Sequence, residues 1–229
     1  MPAPYITRHR GQDITVERRG DFAAYDFVLP MPPYPLDAPR PSSHDPPESA
    51  TPPCVLRKLS EITSLHLSLD NSVPVAKCIY PRLPLRARDA MRERVFLAWA
   101  EHDATVQALG RTCHGHRFLR LPAANGGPRY AMPDFLVRTS TATYLTDVHA
   151  RRHPMQRLRT LMAWCEWANT LPLARRGENA WFFAPLAGLP LEGLPHPHDG
   201  RLAELLAFAR ARAGYVAGFG HASRSWNDT

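Results

Sequence analysis

Three acidic residues and one histidine in this sequence have types and spacing that could support metal-dependent chemistry. Glu93 lies in a segment of helical periodicity, Asp134 follows Pro133 in a strand-like segment, and Asp147 and His149 lie thirteen and fifteen residues after Asp134. Since side chains alternate along a strand, Asp147 and His149 are predicted to face the same side. Carboxylates on adjacent strands, with one more from a packed helix, are oxygen ligands of the kind that Mg²⁺ or Mn²⁺ binds.

Such a metal would give these residues a hydrolytic role. It generates a hydroxide nucleophile and neutralises the charge that develops on a phosphodiester during cleavage. The sequence therefore predicts a Mg²⁺ (or Mn²⁺) cofactor held by Asp134, Asp147 and Glu93. The alternative for each acid taken alone is structural, because an aspartate after proline often caps a turn and a strand aspartate is often solvated.

A zinc site is the other metal hypothesis, and it has less support. Cys113, His114 and His116 lie together, as do His149 and His153. Tetrahedral zinc needs nitrogen and sulfur ligands that converge, whereas a strand would place His114 and His116 on one face and Cys113 on the other. The four cysteines form no CxxC pair, so they are predicted to act as small apolar residues.

The elements that must position these residues begin at about residue 88. Periodicity predicts the order α-β-β-β-α-β-α, in a mixed sheet flanked by helices. The first helix is ARDAMRERVFLAWAEHD, with its buried side at Met91, Val95, Ala98 and Trp99. The strands CHGHRFLRL, RYAMPDFLVRT and ATYLTDVHA are predicted to form a meander. A helix beginning at Pro154, the strand AWFFAPL and a helix closed by Gly214 complete the domain.

The front of the chain has a different composition. Residues 1–29 are predicted to form an N-terminal arm or two short strands, and residues 30–53 hold ten of the 24 prolines and read as an extended linker. Residues 54–87 are predicted to contain an amphipathic helix over 55–69 and a connector. Residues 88–229 would then form the main domain.

The charge predicts a polyanionic partner. The net charge is +7, from 26 arginines and two lysines against 21 acidic residues. Arg151, Arg152, Arg157 and Arg159 follow the acidic motif and contribute to this positive charge. The aromatic residues after residue 160 are predicted to pack in the core rather than to form a platform on which the bases of a single strand stack.

With no apolar run of 18 residues and no signal-peptide pattern, the expected location is the cytoplasm, with no membrane partner.

These pieces resemble the PD-(D/E)XK nuclease superfamily and, within it, the TnsA-type endonuclease subunit of heteromeric transposons. The resemblance covers about residues 88–185 and is carried by RERVFLAWAEHDATVQAL, MPDFLVRT and LTDVHARR. It implies an α-β-β-β-α-β core and a subunit that cuts one strand at each transposon end. Its implied partners are double-stranded DNA, a transposase subunit and an ATPase regulator. The resemblance also implies that Arg151, Arg152, Arg157 and Arg159 contact the phosphates of the DNA. The implied catalytic residues are Glu93, Asp134, Asp147 and His149.

One departure from the family pattern leaves alternatives open. The family's lysine falls at His149, and no lysine follows Lys77. A histidine there could act as a cation, a general base or a ligand, and a nearby arginine could supply the missing charge. The other hypotheses are an inactive nuclease-fold module that binds DNA and bridges transposase subunits, and a stand-alone restriction or repair nuclease.

Overall fold

The computed structural model describes residues 13–30, 57–86, 90–112, 131–150, 153–189, 191 and 201–218, together with the backbone of 6–9, 119–121, 129–130 and 219–222. The chain forms a mixed α/β structure, which confirms the prediction of a mixed sheet flanked by helices. The strands are β1 (Ile6–His9), β2 (Asp13–Glu17), β3 (Ser64–Ser68), β4 (Ser72–Pro74), β5 (Arg82–Pro84), β6 (Val106–Arg111), β7 (Leu119–Leu121), β8 (Arg129–Ala131), β9 (Phe135–Thr139), β10 (Ala142–Thr146) and β11 (Ala180–Phe183). The helices are α1 (Ala90–His102), α2 (Pro154–Asn169), α3 (Leu173–Arg176) and α4 (Leu202–Ala222).

A four-stranded sheet with the order β11-β10-β9-β6 forms the centre of the structure. Strand β9 pairs antiparallel with both β6 and β10, while β10 and β11 run parallel. A parallel pair needs a crossover, and α2 supplies it. The short β7–β8 hairpin is inserted between β6 and β9.

Helices α1 and α2 lie on opposite faces of this sheet. Phe96 of α1 packs on Phe135 of β9, with ring centroids 4.7 Å apart, while Trp164 of α2 meets Trp181 of β11 edge-on at 5.4 Å. The strand register places Phe182 on the face of Phe135, so its neighbour Trp181 points to the other face. The two inner strands of the sheet, β9 and β10, therefore lie between the two helices and are buried on both faces.

The described residues of the N-terminal third pack against the same sheet. Strands β1, β2 and β3 form a separate antiparallel sheet. A Cβ at Gly110 of β6 would lie 2.5 Å from Leu59 and 3.2 Å from Phe27, so the absence of a side chain there allows close approach. Arg138 of β9 also donates a hydrogen bond to the carbonyl oxygen of Asp26, at 2.7 Å.

Two predictions for the front of the chain were wrong. In place of a helix over 55–69, a 3-10 turn (Leu59–Glu61) precedes strand β3. Leucines 65 and 67 are buried while His66 is exposed, and this alternation with a period of two outweighs the helical spacing of the leucines. Around residues 19–21 only the first predicted strand is present, and a 3-10 turn (Phe22–Tyr25) replaces the second. Residues 31–53, most of the predicted linker, lie outside the described residues.

Other predictions need correction in the main domain. The first strand of the meander is β6, which the sequence pattern missed. Within the predicted strand CHGHRFLRL, only Leu119–Leu121 is described as a strand, and residues 113–118 lie outside the described part. The predicted strand RYAMPDFLVRT divides into β8 and β9 around Pro133. Helix α4 continues through Gly214, where an added side chain would meet nothing within 4 Å.

The buried side of α1 agrees with the prediction in part. Trp99 is buried and Val95 and Ala98 are half-buried, but Met91 is 67% exposed. The prediction also missed the buried stripe of Glu93, Phe96, Leu97 and Ala100. None of the helices in the described part of the chain combines the length and apolar content that a membrane crossing requires.

Candidate functional site

The predicted acidic residues converge at one end of the central sheet. Asp134 directly precedes β9 and Asp147 directly follows β10, and the antiparallel pairing of these strands brings the two positions together. The N–H of Asp134 donates to the carbonyl oxygen of Thr146 at 2.9 Å. Asp134 Oδ2 in turn accepts hydrogen bonds from the N–H groups of Val148 at 2.9 Å and His149 at 3.1 Å. Asp134 therefore holds the turn that carries the other two motif residues.

A closed ion-pair group lies on the α1 side of this turn. The Glu93 side chain is fully buried, and Arg111 of β6 donates to both of its oxygens, at 2.7 and 2.9 Å. His149 Nε2 lies 2.7 Å from Glu93 Oε1, and the N–H of Arg86 donates to Oε2 at 2.8 Å. Burial alone would raise the pKa of Glu93, but the hydrogen bonds from His149 and Arg111 and the charge of Arg111 lower it to about 2.

Asp134 is joined to this closed group through Arg86. The Arg86 guanidinium lies 3.1 Å from Asp134 Oδ1, and its side chain is 24% exposed. Because Oδ2 already accepts two backbone N–H groups, both oxygens of Asp134 are engaged. Arg86 thus contacts Glu93 with its backbone and Asp134 with its side chain.

Asp147 forms a second ion pair on the α2 side. Arg157 donates to both carboxylate oxygens of Asp147, from Nε to Oδ2 and from Nη2 to Oδ1 at 2.9 Å. The same Nη2 also donates to the carbonyl oxygen of Met132 at 2.7 Å. Burial would lower the pKa of Arg157, but the hydrogen bond and charge of Asp147, with the charge of Asp134, raise it overall. The pair is bidentate, which is the strong geometry for arginine and carboxylate.

Asp147 and His149 therefore contact different partners. The carboxylate binds Arg157 of α2, whereas the imidazole binds Glu93 of α1. Strand alternation does not apply to them, because β10 ends at Thr146 and both residues lie in the turn beyond it. The prediction that they lie within the third strand was wrong for this reason.

The donor set, as arranged, does not fit a divalent cation. All six carboxylate oxygens of Glu93, Asp134 and Asp147 accept hydrogen bonds or ion pairs from protein groups. Three arginines balance three carboxylates, so the cluster has no surplus negative charge to compensate Mg²⁺. Within the described residues, no group of three or more His, Cys, Asp or Glu side chains is placed to hold a metal ion.

Of the other predicted site residues, only Arg159 and His153 lie in the described part of the chain. Arg159 lies on α2, half-buried, and within the described residues no contact joins it to the three carboxylates. Arg151 and Arg152 lie outside the described residues, as do Cys113, His114 and His116 of the zinc hypothesis. His153 is exposed at the N-cap of α2, with a φ of 52°.

Sequence reasoning missed the arginines that complete the cluster. Arg86 and Arg111 belong to no motif, and the large number of arginines in the sequence gives no indication of which ones are buried. Arg92 donates to the carbonyl oxygens of Val148, Leu186 and Leu189, at 2.7 to 2.8 Å. It thereby ties the motif turn to the segment that follows β11.

A mostly apolar cavity of about 150 Å³ opens beside Asp147 and Arg157. It lies between α2 and α4, and we call it the α2–α4 cavity. Its apolar lining includes Leu158 of α2, Phe183 of β11, and Ala209, Ala213 and Val216 of α4.

Comparisons with protein-family models, with curated proteins and with solved structures found no match.

Proposed function

We propose that the chain is a DNA-binding subunit with a nuclease-type core, in which arginines rather than a metal ion neutralise the carboxylate cluster. The observation that carries this proposal is the pairing of each carboxylate with an arginine: Glu93 with Arg111, Asp134 with Arg86 and Asp147 with Arg157. A cluster of balanced charge does not repel a phosphodiester backbone, so DNA could approach it without a bound cation.

The arrangement of the elements supports the nuclease-type core. Helix α1, strands β6, β9 and β10, helix α2 and strand β11 follow the order α-β-β-β-α-β that the resemblance to the PD-(D/E)XK superfamily implies. The antiparallel β6-β9-β10 meander and the parallel β10–β11 pair form the mixed sheet expected of that core. The same resemblance leads us to propose a transposase subunit and an ATPase regulator as partners.

DNA binding rests on charge. The chain has a net charge of +7, and its arginines are suited to phosphate contacts that position a protein without reading sequence. Arg157 is 22% exposed at the mouth of the α2–α4 cavity, and Arg151 and Arg152 precede it in the chain. We therefore retain Arg151, Arg152, Arg157 and Arg159 as the proposed phosphate contacts.

One observation favours a second candidate, a Mg²⁺-dependent endonuclease subunit that cuts one strand at transposon ends. Glu93, Asp134, Asp147 and His149, predicted from separate segments, come together at one end of the sheet. Metal binding would require Arg86 and Arg157 to leave Asp134 and Asp147. Histidine 149 occupies the position of the family's lysine, so His149→Lys would raise nicking if this candidate were correct.

Fluorescence anisotropy with a 30-base-pair duplex, together with nicking of supercoiled plasmid, separates the two candidates. The proposal predicts that Mg²⁺ does not raise duplex affinity above its value in EDTA, that affinity falls steeply with salt, and that no nicking occurs with or without Mg²⁺. Replacing Arg151, Arg152 and Arg157 with alanine together should weaken binding of all duplexes alike. The exposed arginines 94, 175 and 201 provide a matched triple control that should change it less.

Three results would count against the proposal. Metal-dependent nicking that Asp134→Asn and Asp147→Asn abolish, with duplex binding intact, would establish the second candidate. Duplex affinity that requires Mg²⁺ would contradict a metal-free cluster. Absence of duplex binding at low salt would exclude both candidates.

A further inference from the structure

The α2–α4 cavity is an apolar opening that neither DNA binding nor ion pairing explains. Leu158, Phe183, Ala209 and Ala213 are buried in its wall, and Val216 at its edge is 37% exposed. The polar groups at its margin are the Asp147–Arg157 pair, His149 and Arg212. A phosphodiester would leave the apolar wall in contact with water, whereas an apolar side chain would bury it.

Helix α4 extends the apolar surface outwards from the cavity. Residues 209, 213 and 216 follow one another at helical spacing along the wall. Phe208 and Tyr215 lie next to this stripe on the solvent side and are 59% and 67% exposed. A group of large exposed apolar residues marks a surface that binds another molecule, and aromatic residues with arginine are enriched at the centre of protein–protein interfaces.

The charge beside this surface selects the kind of partner. Arg212 is exposed and lies on the same side of α4 as Phe208 and Tyr215, one helical turn from each. In the described part of the chain no carboxylate pairs with Arg212. Asp147 is the one acid among the described residues that line the cavity, and it is already neutralised by Arg157. An incoming carboxylate would therefore meet an unopposed positive charge at the rim.

We propose that the α2–α4 cavity and the adjoining strip of Phe208, Arg212 and Tyr215 bind an acidic amphipathic segment of a partner protein. One apolar side chain enters the cavity, and a neighbouring Asp or Glu pairs with Arg212. This docking site covers the Asp147–Arg157 end of the candidate site. It goes beyond the proposed function and does not depend on DNA binding.

A phage-displayed library of random 16-residue peptides, selected on the full chain, tests this site. The expected consensus is an apolar anchor flanked by Asp or Glu. A synthetic peptide of that consensus should bind in fluorescence polarisation, and its twin with every acid changed to lysine should not. Val216→Asp should weaken peptide binding by about tenfold or more, because it places a charge at the cavity mouth. Arg212→Glu should weaken it by a similar factor through charge repulsion.

Ala207→Asp is the matched control, since residue 207 is exposed and nine residues from Val216, on the opposite face of α4. It should leave peptide affinity unchanged. Circular dichroism of each variant checks that it is folded. If Val216→Asp unfolds the protein, Arg212→Glu still tests the proposal, because Arg212 is exposed.

Several outcomes would overturn the proposal. These are failure to enrich any peptide, a basic consensus, or equal binding to Val216→Asp, Arg212→Glu and the wild type. If affinity for a 30-base-pair duplex responds to Val216→Asp while peptide affinity does not, the cavity serves nucleic acid. Loss of peptide binding in Val216→Asp, with affinity for the duplex retained, would show that the two proposals fail or succeed separately.

Discussion

The two ion-pair groups at the end of the central sheet have the same chemistry but different surroundings. On the α1 side, Glu93 is 0% and Arg111 is 6% exposed, and the group is closed between a helix and β6. On the α2 side, Asp147 is 4% exposed but its partner Arg157 is 22% exposed, beside the α2–α4 cavity. The closed group resembles a structural buried pair, while the open pair keeps an arginine within reach of a ligand.

Under the proposed function, this difference divides the motif between residues that stabilise the fold and residues that bind DNA. Glu93 and His149 are motif residues by position, yet their contacts lie within the protein and hold α1 to the sheet. Asp147 orients Arg157 towards the opening. Substitutions in the closed group should therefore change stability most, and substitutions in the open pair should change binding most.

The largest effect is expected for Glu93→Ala. It leaves Arg111 buried without its carboxylate, and breaking a buried pair in this way costs about 3–5 kcal/mol. Urea unfolding followed by circular dichroism would measure the loss in the free energy of unfolding. Glu166→Ala, at an exposed position of α2, should change it by less than about 0.5 kcal/mol. Equal values for the two variants would contradict a closed structural group.

Acid should weaken the same group over a defined range. The pKa of Glu93 is about 2 in the folded chain against an ordinary value of 4.5. Because the folded pKa is lower, the stabilisation is complete above about pH 4.5 and is lost as the pH falls towards 2. The loss should amount to about 3 kcal/mol in the free energy of unfolding. In Glu93→Gln this part of the pH dependence should disappear, and an unchanged slope would contradict the assignment.

A smaller effect on stability is expected for Arg157→Ala. Asp147 keeps few other polar contacts, but the pair is partly exposed, so we expect a loss of about 1–3 kcal/mol. The double variant Arg157→Ala with Asp147→Asn should recover part of that loss, because the unpaired charge is removed. Duplex affinity should fall in both variants that lack Arg157. Retention of full affinity would show that the open pair does not contact DNA.

Much of the fold followed from the sequence because its signals are local. Proline at the first position of α2, the apolar stripe along that helix and the buried strand AWFFAPL each depend on a few neighbouring residues. Strand β6 and the 3-10 turn at Leu59–Glu61 did not follow, because their structure depends on distant contacts such as that between Leu59 and Gly110. Helical spacing of leucines in 55–69 matched a pattern that tertiary packing overrode.

The candidate site was predicted in part for a related reason. The positions of Glu93, Asp134, Asp147 and His149 could be identified because a motif fixes spacing within each element. Their partners could not, since Arg86 and Arg111 reach them only after the sheet has formed and neither carries a sequence pattern. The balance of charge at the site is thus a property of the fold.

Titration of Mn²⁺ into the protein, with and without a 30-base-pair duplex, tests the central claim most directly. If arginines neutralise the cluster, isothermal titration calorimetry should show no saturable binding below about millimolar metal, a range typical of weak sites, beyond that of the duplex alone. Asp134→Asn and Asp147→Asn should then give the same traces as the wild type. Stoichiometric Mn²⁺ binding by the wild type, lost in both variants, would contradict the claim and identify the cluster as a metal centre.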